Sequence, residues 1–318
     1  MKSAFLCLMM AALSLPLVAG AEPTFGERLG WKVTDRVLIV HNDDTGMSHE
    51  ANLGTIEAYE KGVLSSNSVM MPCSWVPEWR DYMLANPELD NGLHLTLTSE
   101  WKHYRWRPVA GAASVPGLVD KDGYMHRGVM EVYQHATADE VETEIRAQIE
   151  LAERMGMPIT HLDSHMGTLF YNPGYFERYI KVGIEKQIPI MMISGRGEAE
   201  NEVQRQMLPR IQAAAKMVWE GGLPVLDYLY TSTADTNDPE EMTEALIKNL
   251  RELKPGITQI ILHATRHSPN FEAISGSGKK REAELEMVLS PAVKKVIEEE
   301  GIILTTYREL MERRKAVK

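Results

Sequence analysis

Short β-rich runs alternate with longer helical patterns along most of this 318-residue chain, and that alternation restricts the fold more than any other feature. It is the signature of βα units around a largely parallel sheet. Strands are expected near 37–42, 63–71, 91–98, 160–163, 188–193, 225–230, 257–263 and 302–306. Helices with chemically marked ends lie between them. Gly62 is expected to cap the helix 49–61 in a left-handed conformation, and Thr137-Ala138-Asp139-Glu140 has the spacing of a capping box opening 138–155. Gly156 and Pro158 close that helix. Asp238-Pro239 supplies an N-cap with proline in the first turn, and Gly301 ends the helix 291–300.

Seven to eight such units give the rhythm of a (β/α) barrel, although an open doubly wound sheet would produce a similar string. The expected fold is therefore α/β, an incomplete or distorted barrel. One stretch, about 99–137, breaks the rhythm: it carries Trp101, Trp106, Pro108, Pro116 and several glycines, and is too long for an ordinary connection. It reads as a βα-loop excursion that lines or covers a site.

Residues 1–21 have a lone basic Lys2, an apolar stretch from Ala4 to Val18, and Ala19-Gly20-Ala21 before Glu22. This is the pattern of a signal peptide cut after Ala21, which makes 22–318 a single mature domain, secreted or periplasmic. No second run of membrane-spanning length follows. Cys7 leaves with the peptide, so Cys73 remains alone, and inside an apolar run it is expected to be core. A formal net charge of −11, with no dominant basic cluster, argues against nucleic acid as a partner. It suits a small neutral substrate, and a homo-oligomer is left open.

At the trailing end of the first strand stand Asp43-Asp44; His94 lies in the third, His161, Asp163 and His165 flank the end of the fourth, and His263 ends a later one. In a barrel the strand C-termini form one mouth, where such residues become neighbours. A metal ligated by Asp, His and His is then geometrically reasonable. Two successive carboxylates on an extended strand point to opposite faces, so a turn, expected at Thr45-Gly46, is needed for both to reach one centre. One carboxylate would bind the cation while the other accepts a proton from a water.

The motifs Ile39-Val40-His41-Asn42-Asp43-Asp44-Thr45-Gly46, Gly92-Leu93-His94-Leu95, His161-Leu162-Asp163-Ser164-His165 and Ile260-Ile261-Leu262-His263, in this order, resemble those of the YdjC-like carbohydrate deacetylases, which include chitooligosaccharide and hopanoid-biosynthesis deacetylases. The resemblance spans about 35–312, taking in Arg281-Glu282-Ala283-Glu284 and the segment 301–307. It implies an incomplete (β/α) barrel, as in other glycoside hydrolase and deacetylase folds, that removes acetyl groups from N-acetylated sugars with one divalent metal ion, Zn²⁺ or Mg²⁺. Carried over to this chain, the ligands become Asp44, His94 and His165, Asp43 takes the general-base position, and His263 becomes the acid for the leaving amine. Arg281 would orient a carboxylate or the substrate, or form a structural ion pair.

The chain departs from the family pattern at Thr45, where an aromatic residue is usual, at Met166, Gly167 and Leu169, where further histidines are usual, and at Ala264, where proline follows the histidine. These positions shape a pocket, so the acyl group and sugar stay open. Trp101 and Trp106, with Tyr104, are expected to stack on sugar faces. Two other readings use the same residues: a metal-dependent phosphoesterase or amidohydrolase on a barrel, and a carbohydrate-binding protein without turnover. Intact Asp43 beside Asp44 speaks against the last.

Overall fold

The strand β1 (Arg36–Thr45) is the centre of the molecule, because Leu38, Ile39 and Val40 are buried on both faces and it pairs with three other strands. The computed structural model describes residues 22–196, 202–231 and 234–317; the expected signal peptide lies outside these. Further strands are β2 (Ser66–Val69), β3 (Asn91–Leu95), β4 (Leu162–Ser164), β5 (Tyr228–Tyr230), β6 (Gly256–Leu262) and β7 (Ile303–Leu304). All pair in parallel, in the order β4-β3-β2-β1-β6-β5, and β7 pairs with the first half of β1.

The curl of this sheet is continued by single parallel bridges, Leu162 to Ile190 and Ile193 to Leu226. The expected strand at 188–193 thus reduces to two contacts across a seam. The result is an incomplete (β/α) barrel. Several strands are shorter than their apolar runs, 63–71 shrinking to Ser66–Val69 for example, because apolar residues beyond the ladder pack into the core as loop. None of the described helices is long and apolar enough to cross a membrane.

Two apolar layers support the sheet. One joins Val69, Leu93, Leu95 and Leu162 to Ile145 and Ile149 of the helix Ala138–Arg154 and Tyr179 of the helix Pro173–Lys186. The other joins Leu38, Val40 and Ile260 to Leu246, Leu250, Leu285 and Val293 from three C-terminal helices. The capping chemistry is as expected at Thr137, whose side chain accepts from Glu140 N–H, and at Asp238. Gly156 and Gly301 are left-handed.

Gly62 is not. Its φ of −100° and ψ of −154° are extended, and glycine is required there for a different reason: a Cβ would stand 2.7 Å from the Ala58 carbonyl oxygen and 2.8 Å from that of Val288. Close approach, rather than handedness, selects it.

The 99–137 excursion is ordered, with a 3₁₀ turn Pro116–Leu118, an antiparallel bridge between Val119 and Met125, and a helix Val129–His135. Arg105 ties its two arms together through Asp120 and the Met125 carbonyl.

Candidate active site

In a strand, residues two apart share a face, so His41 and Asp43 point the same way from β1 and Asp44 should point oppositely. The ladder to β2 shows how this is overcome. Register passes from Asn42 opposite Asn67 to Thr45 opposite Val69, one extra residue on β1, and Asp44 takes a left-handed φ of 62°. The expected turn at Thr45-Gly46 is present, with Met47 N–H donating to the Asp44 carbonyl across it at 3.2 Å and Gly46 at a φ of 80°; the left-handed Asp44 is an added reversal just before it. Such a conformation is uncommon in a non-glycine residue, and aspartate is among the side chains that adopt it most readily.

The bulge turns Asp44 toward two imidazoles from other strands. Its Oδ1 lies 3.4 Å from His94 Nε2 and 3.3 Å from His165 Nδ1, and all three ligand atoms fall within 4.8 Å of one another. That oxygen is buried and accepts no hydrogen bond. A buried carboxylate oxygen without a donor, facing two ring nitrogens, fits a cation. Two other acidic and imidazole groupings among the described residues are as close, His41 with His161 and Asp163, and Asp43 with His94 and Asp163. In both, the facing atoms already bond each other, at 2.9 Å between His41 Nε2 and Asp163 Oδ2 and 2.6 Å between His94 Nδ1 and Asp163 Oδ1.

The surroundings of the trio are strongly anionic. Burial disfavours a charged His165, yet the Glu100 and Asp44 carboxylates outweigh it and push the imidazole up to about 10. His94 is raised in the same way against its burial, by Asp43, Asp163 and Asp44. Burial also opposes ionisation of Asp44, but Arg281, His165 and His263 hold it well below the usual carboxylate range. Three buried carboxylates, Asp43, Asp44 and Asp163, with Glu100 at the edge, create a demand for positive charge at this point.

Arg281 forms an ion pair with the other oxygen of Asp44, donating to it at 2.7 Å. Asp43 stands alongside the trio without belonging to it. Its Oδ2 is 3.7 Å from His94 Nε2 and 3.9 Å from His263 Nε2, and its Oδ1 is 3.2 Å from His41 Nε2. His263 is the more exposed group, with a third of its side chain open to solvent. Glu284 steadies it: one carboxylate oxygen accepts the His263 backbone N–H at 2.6 Å and lies 3.5 Å from Nδ1. Although Glu284 is buried, the neighbouring His263 and Arg281 charges keep its pKa lowered.

The departure at Ala264 acquires a reason here. Its backbone N–H donates to Asn42 Oδ1, and the Asn42 amide in turn donates to Thr55 Oγ1 at 2.9 Å. A proline has no N–H to give, so this tie between the loop after β6 and the end of β1 is open only to a non-proline residue.

Trp106 corrects the sequence reading. It is 5% exposed, packs with Met47, Met70, Cys73, Met125 and Phe271, and donates its indole N–H to the Thr98 carbonyl. Its faces are taken, so it has none to offer a sugar. Trp101 is half-buried against Trp106 and Tyr104, and Cys73 is core. Outside this cluster Met166, Phe170, Tyr171 and Tyr133 are exposed apolar side chains near the end of β4.

Sequence reasoning placed Asp163 at the same rim without giving it a role, and did not assign His41, Glu100 or Glu284 to the site. For His41 the signal was available in its two-residue spacing from Asp43, and for Asp163 in its place between two strand-end histidines; Glu100 has none.

Fold and site together define a parallel (β/α)-barrel protein with a buried carboxylate and imidazole centre at the C-terminal mouth of its strands. The chain belongs to the YdjC-like protein family, whose model matches residues 37–299. It is 30% identical over 265 residues to a carbohydrate deacetylase of Thermus thermophilus, covering 83% of this chain and 90% of that protein. A chitooligosaccharide deacetylase of Yersinia enterocolitica is 26% identical, covering 86% of this chain and 99% of the relative. Among solved structures, a proposed cellobiose-phosphate cleavage protein of Enterococcus faecalis superimposes with a TM-score of 0.73 at 25% identity, over 87% of this chain and 99% of the other.

Proposed function

We propose that this protein is a metal-dependent carbohydrate deacetylase that hydrolyses the amide of an N-acetylated sugar, and that the stretch 1–21 exports it. The names of its relatives support the substrate class. The observation that carries the chemistry is the position of Asp43, between the Asp44, His94 and His165 trio on one side and His263 on the other. A divalent cation held by that trio would polarise the acyl oxygen and lower the pKa of a water. One carboxylate with two imidazoles suits Zn²⁺ better than Mg²⁺, which favours oxygen donors.

Asp43 accepts the proton of the attacking water, and His263 delivers one to the departing amine nitrogen. Their separation, 3.9 Å between Oδ2 and Nε2, keeps base and acid at the same reacting centre. Glu284 fixes the imidazole from behind and Arg281 fixes Asp44, leaving its other oxygen for the cation. The test is acetate release from a panel of N-acetylated mono- and oligosaccharides, with the protein stripped by a chelator and then reloaded with Zn²⁺. Release that disappears on stripping and returns on reloading supports the reading. A zinc-loaded protein that frees no acetate from any member would overturn it.

A further inference from the structure

Of the three trio residues, His165 is the one whose position the sheet does least to determine. It follows a strand of three residues, β4, and precedes a turn in which Met166 and Gly167 are both left-handed, with φ of 53° and 65°. Its ring is nonetheless buried and aimed, with Nδ1 toward Asp44. Behind it, both carboxylate oxygens of Glu100 lie 3.1 Å from Nε2. His94 shows the mirror arrangement: Asp163 accepts from its Nδ1 at 2.6 Å and leaves Nε2 facing Asp44. The two histidines thus present opposite ring nitrogens to one point, each because a carboxylate holds the other nitrogen.

We propose that Glu100 is a positioning residue for the cation centre: it accepts the Nε2 proton of His165 and so presents Nδ1 as a ligand, making the root of the 99–137 excursion part of the metal site. This rests on the reading of Asp44, His94 and His165 as ligands. The root is built to hold that carboxylate still. Ser99 N–H donates to the His126 carbonyl at 2.8 Å, Ser99 Oγ accepts from Trp106 N–H at 3.0 Å, and Arg127 donates to the carbonyls of Glu100 and Trp101. Trp106, whose ring is buried, is therefore an anchor of the excursion. A surface ion pair would need neither this framework nor a second ring nitrogen turned to an unbonded oxygen. A carboxylate behind a ligating imidazole fixes its tautomer and orientation, and losing such a partner weakens metal binding by about 10- to 100-fold.

The experiment measures Zn²⁺ affinity of the full protein by competition with a chromophoric chelator, beside the melting temperature of the metal-free form. Glu100→Ala should raise the dissociation constant by about 10- to 100-fold while leaving the metal-free melting temperature close to wild type. Glu100→Gln keeps one acceptor oxygen and should show a smaller rise. Wild-type affinity in both variants overturns the role of Glu100. His165→Ala separates the two levels of inference: if it loses Zn²⁺ while Glu100→Ala does not, Glu100 alone is wrong, and if it binds Zn²⁺ like wild type, the ligand set itself fails.

Discussion

The two sides of the barrel hold their site residues by different means. On the β1/β6 side the ladder runs without a break from Arg36 opposite Gly256 to Asn42 opposite Leu262, and Asp43, Asp44 and His263 emerge from its end. On the β4 side the strand has three residues, its outer neighbour touches it through one bridge at Ile190, and His165 emerges alone. Where the ladder is long, backbone hydrogen bonds place the chemistry. Where it is short, side chains take over: Tyr179 donates to the Leu162 carbonyl at 2.7 Å, Ser164 Oγ accepts from Leu169 N–H at 3.0 Å, and Glu100 holds His165. The proposed base and acid, which would have to act together, thus sit on the stiff side, and the single proposed ligand on the other side is held by a tether.

The sharpest way to break this comparison is to disable each side by one residue. Asp43→Asn on the stiff side should reduce turnover by about 100- to 10,000-fold with Zn²⁺ still bound. His165→Ala on the other side should lose the ion together with the activity. Turnover with metal analysis on both variants tests the division, and an Asp43→Asn protein with full activity would remove the base from the mechanism.

Next in size is Gly54→Ala in the helix His49–Lys61. An added Cβ would meet the Ala264 carbonyl oxygen and Thr265 Cα at 2.5 Å, and these are backbone atoms of the loop that carries His263. The loop cannot yield without breaking the Asn42 to Ala264 bond. A cost of about 1–3 kcal/mol is expected from overpacking, with a loss of turnover on the order of 100-fold from a shift of about 1 Å in His263. Near-normal turnover on an amide substrate would show that the β6 end is less rigid than its ladder.

How much of this was legible in the sequence follows the same division. Asp43, Asp44 and His94 could be read because apolar strands turn polar where they end, and the barrel brings such ends together. His263 was legible for the same reason. Glu100 was not: a glutamate just past a strand carries no periodicity, and only the folded excursion brings it back to His165. Trp106 was misread because an aromatic residue in a long loop has the same local pattern whether it lines a pocket or anchors the loop. The turn at Thr45-Gly46 was legible from its residues, whereas the left-handed Asp44 before it was not, because it accompanies the register shift between β1 and β2.

A third effect depends on pH and lies on the β3/β4 side. Glu144, buried in the helix Ala138–Arg154, accepts from Val109 and Ala110 N–H at 2.8 and 2.9 Å, and Gln148 links the same place to the Thr96 backbone. Burial pushes its pKa from 4.5 up to about 7, beyond what the backbone donors offset. The folded state therefore binds the proton more tightly than the unfolded one. The stabilisation is fully present below about 4.5 and is lost as pH rises through about 7. Each tenfold difference in proton affinity between the folded and unfolded chain is worth ~1.4 kcal/mol. Glu144→Gln should flatten this part of the melting-temperature profile between those pH values; an unaltered slope would mean that Glu144 is solvated enough to ionise freely.

The smallest expected effect asks whether the turn after β4, rather than Glu100, aims His165. Gly167 has a left-handed φ of 65°, and a Cβ there would meet only Phe170 Cδ2, at 3.7 Å. Gly167→Ala should thus cost about 1 kcal/mol, the ordinary strain of a side chain in that conformation, with no clash to displace the neighbouring ring. Because Glu100 approaches from β3 and the excursion, it should keep Nδ1 of His165 on the Asp44 side through so small a strain. The variant should then melt slightly lower and bind Zn²⁺ as wild type does. A loss of Zn²⁺ as complete as that of His165→Ala would place control of the ligand in the turn, and the weak side would owe its geometry to the backbone after all.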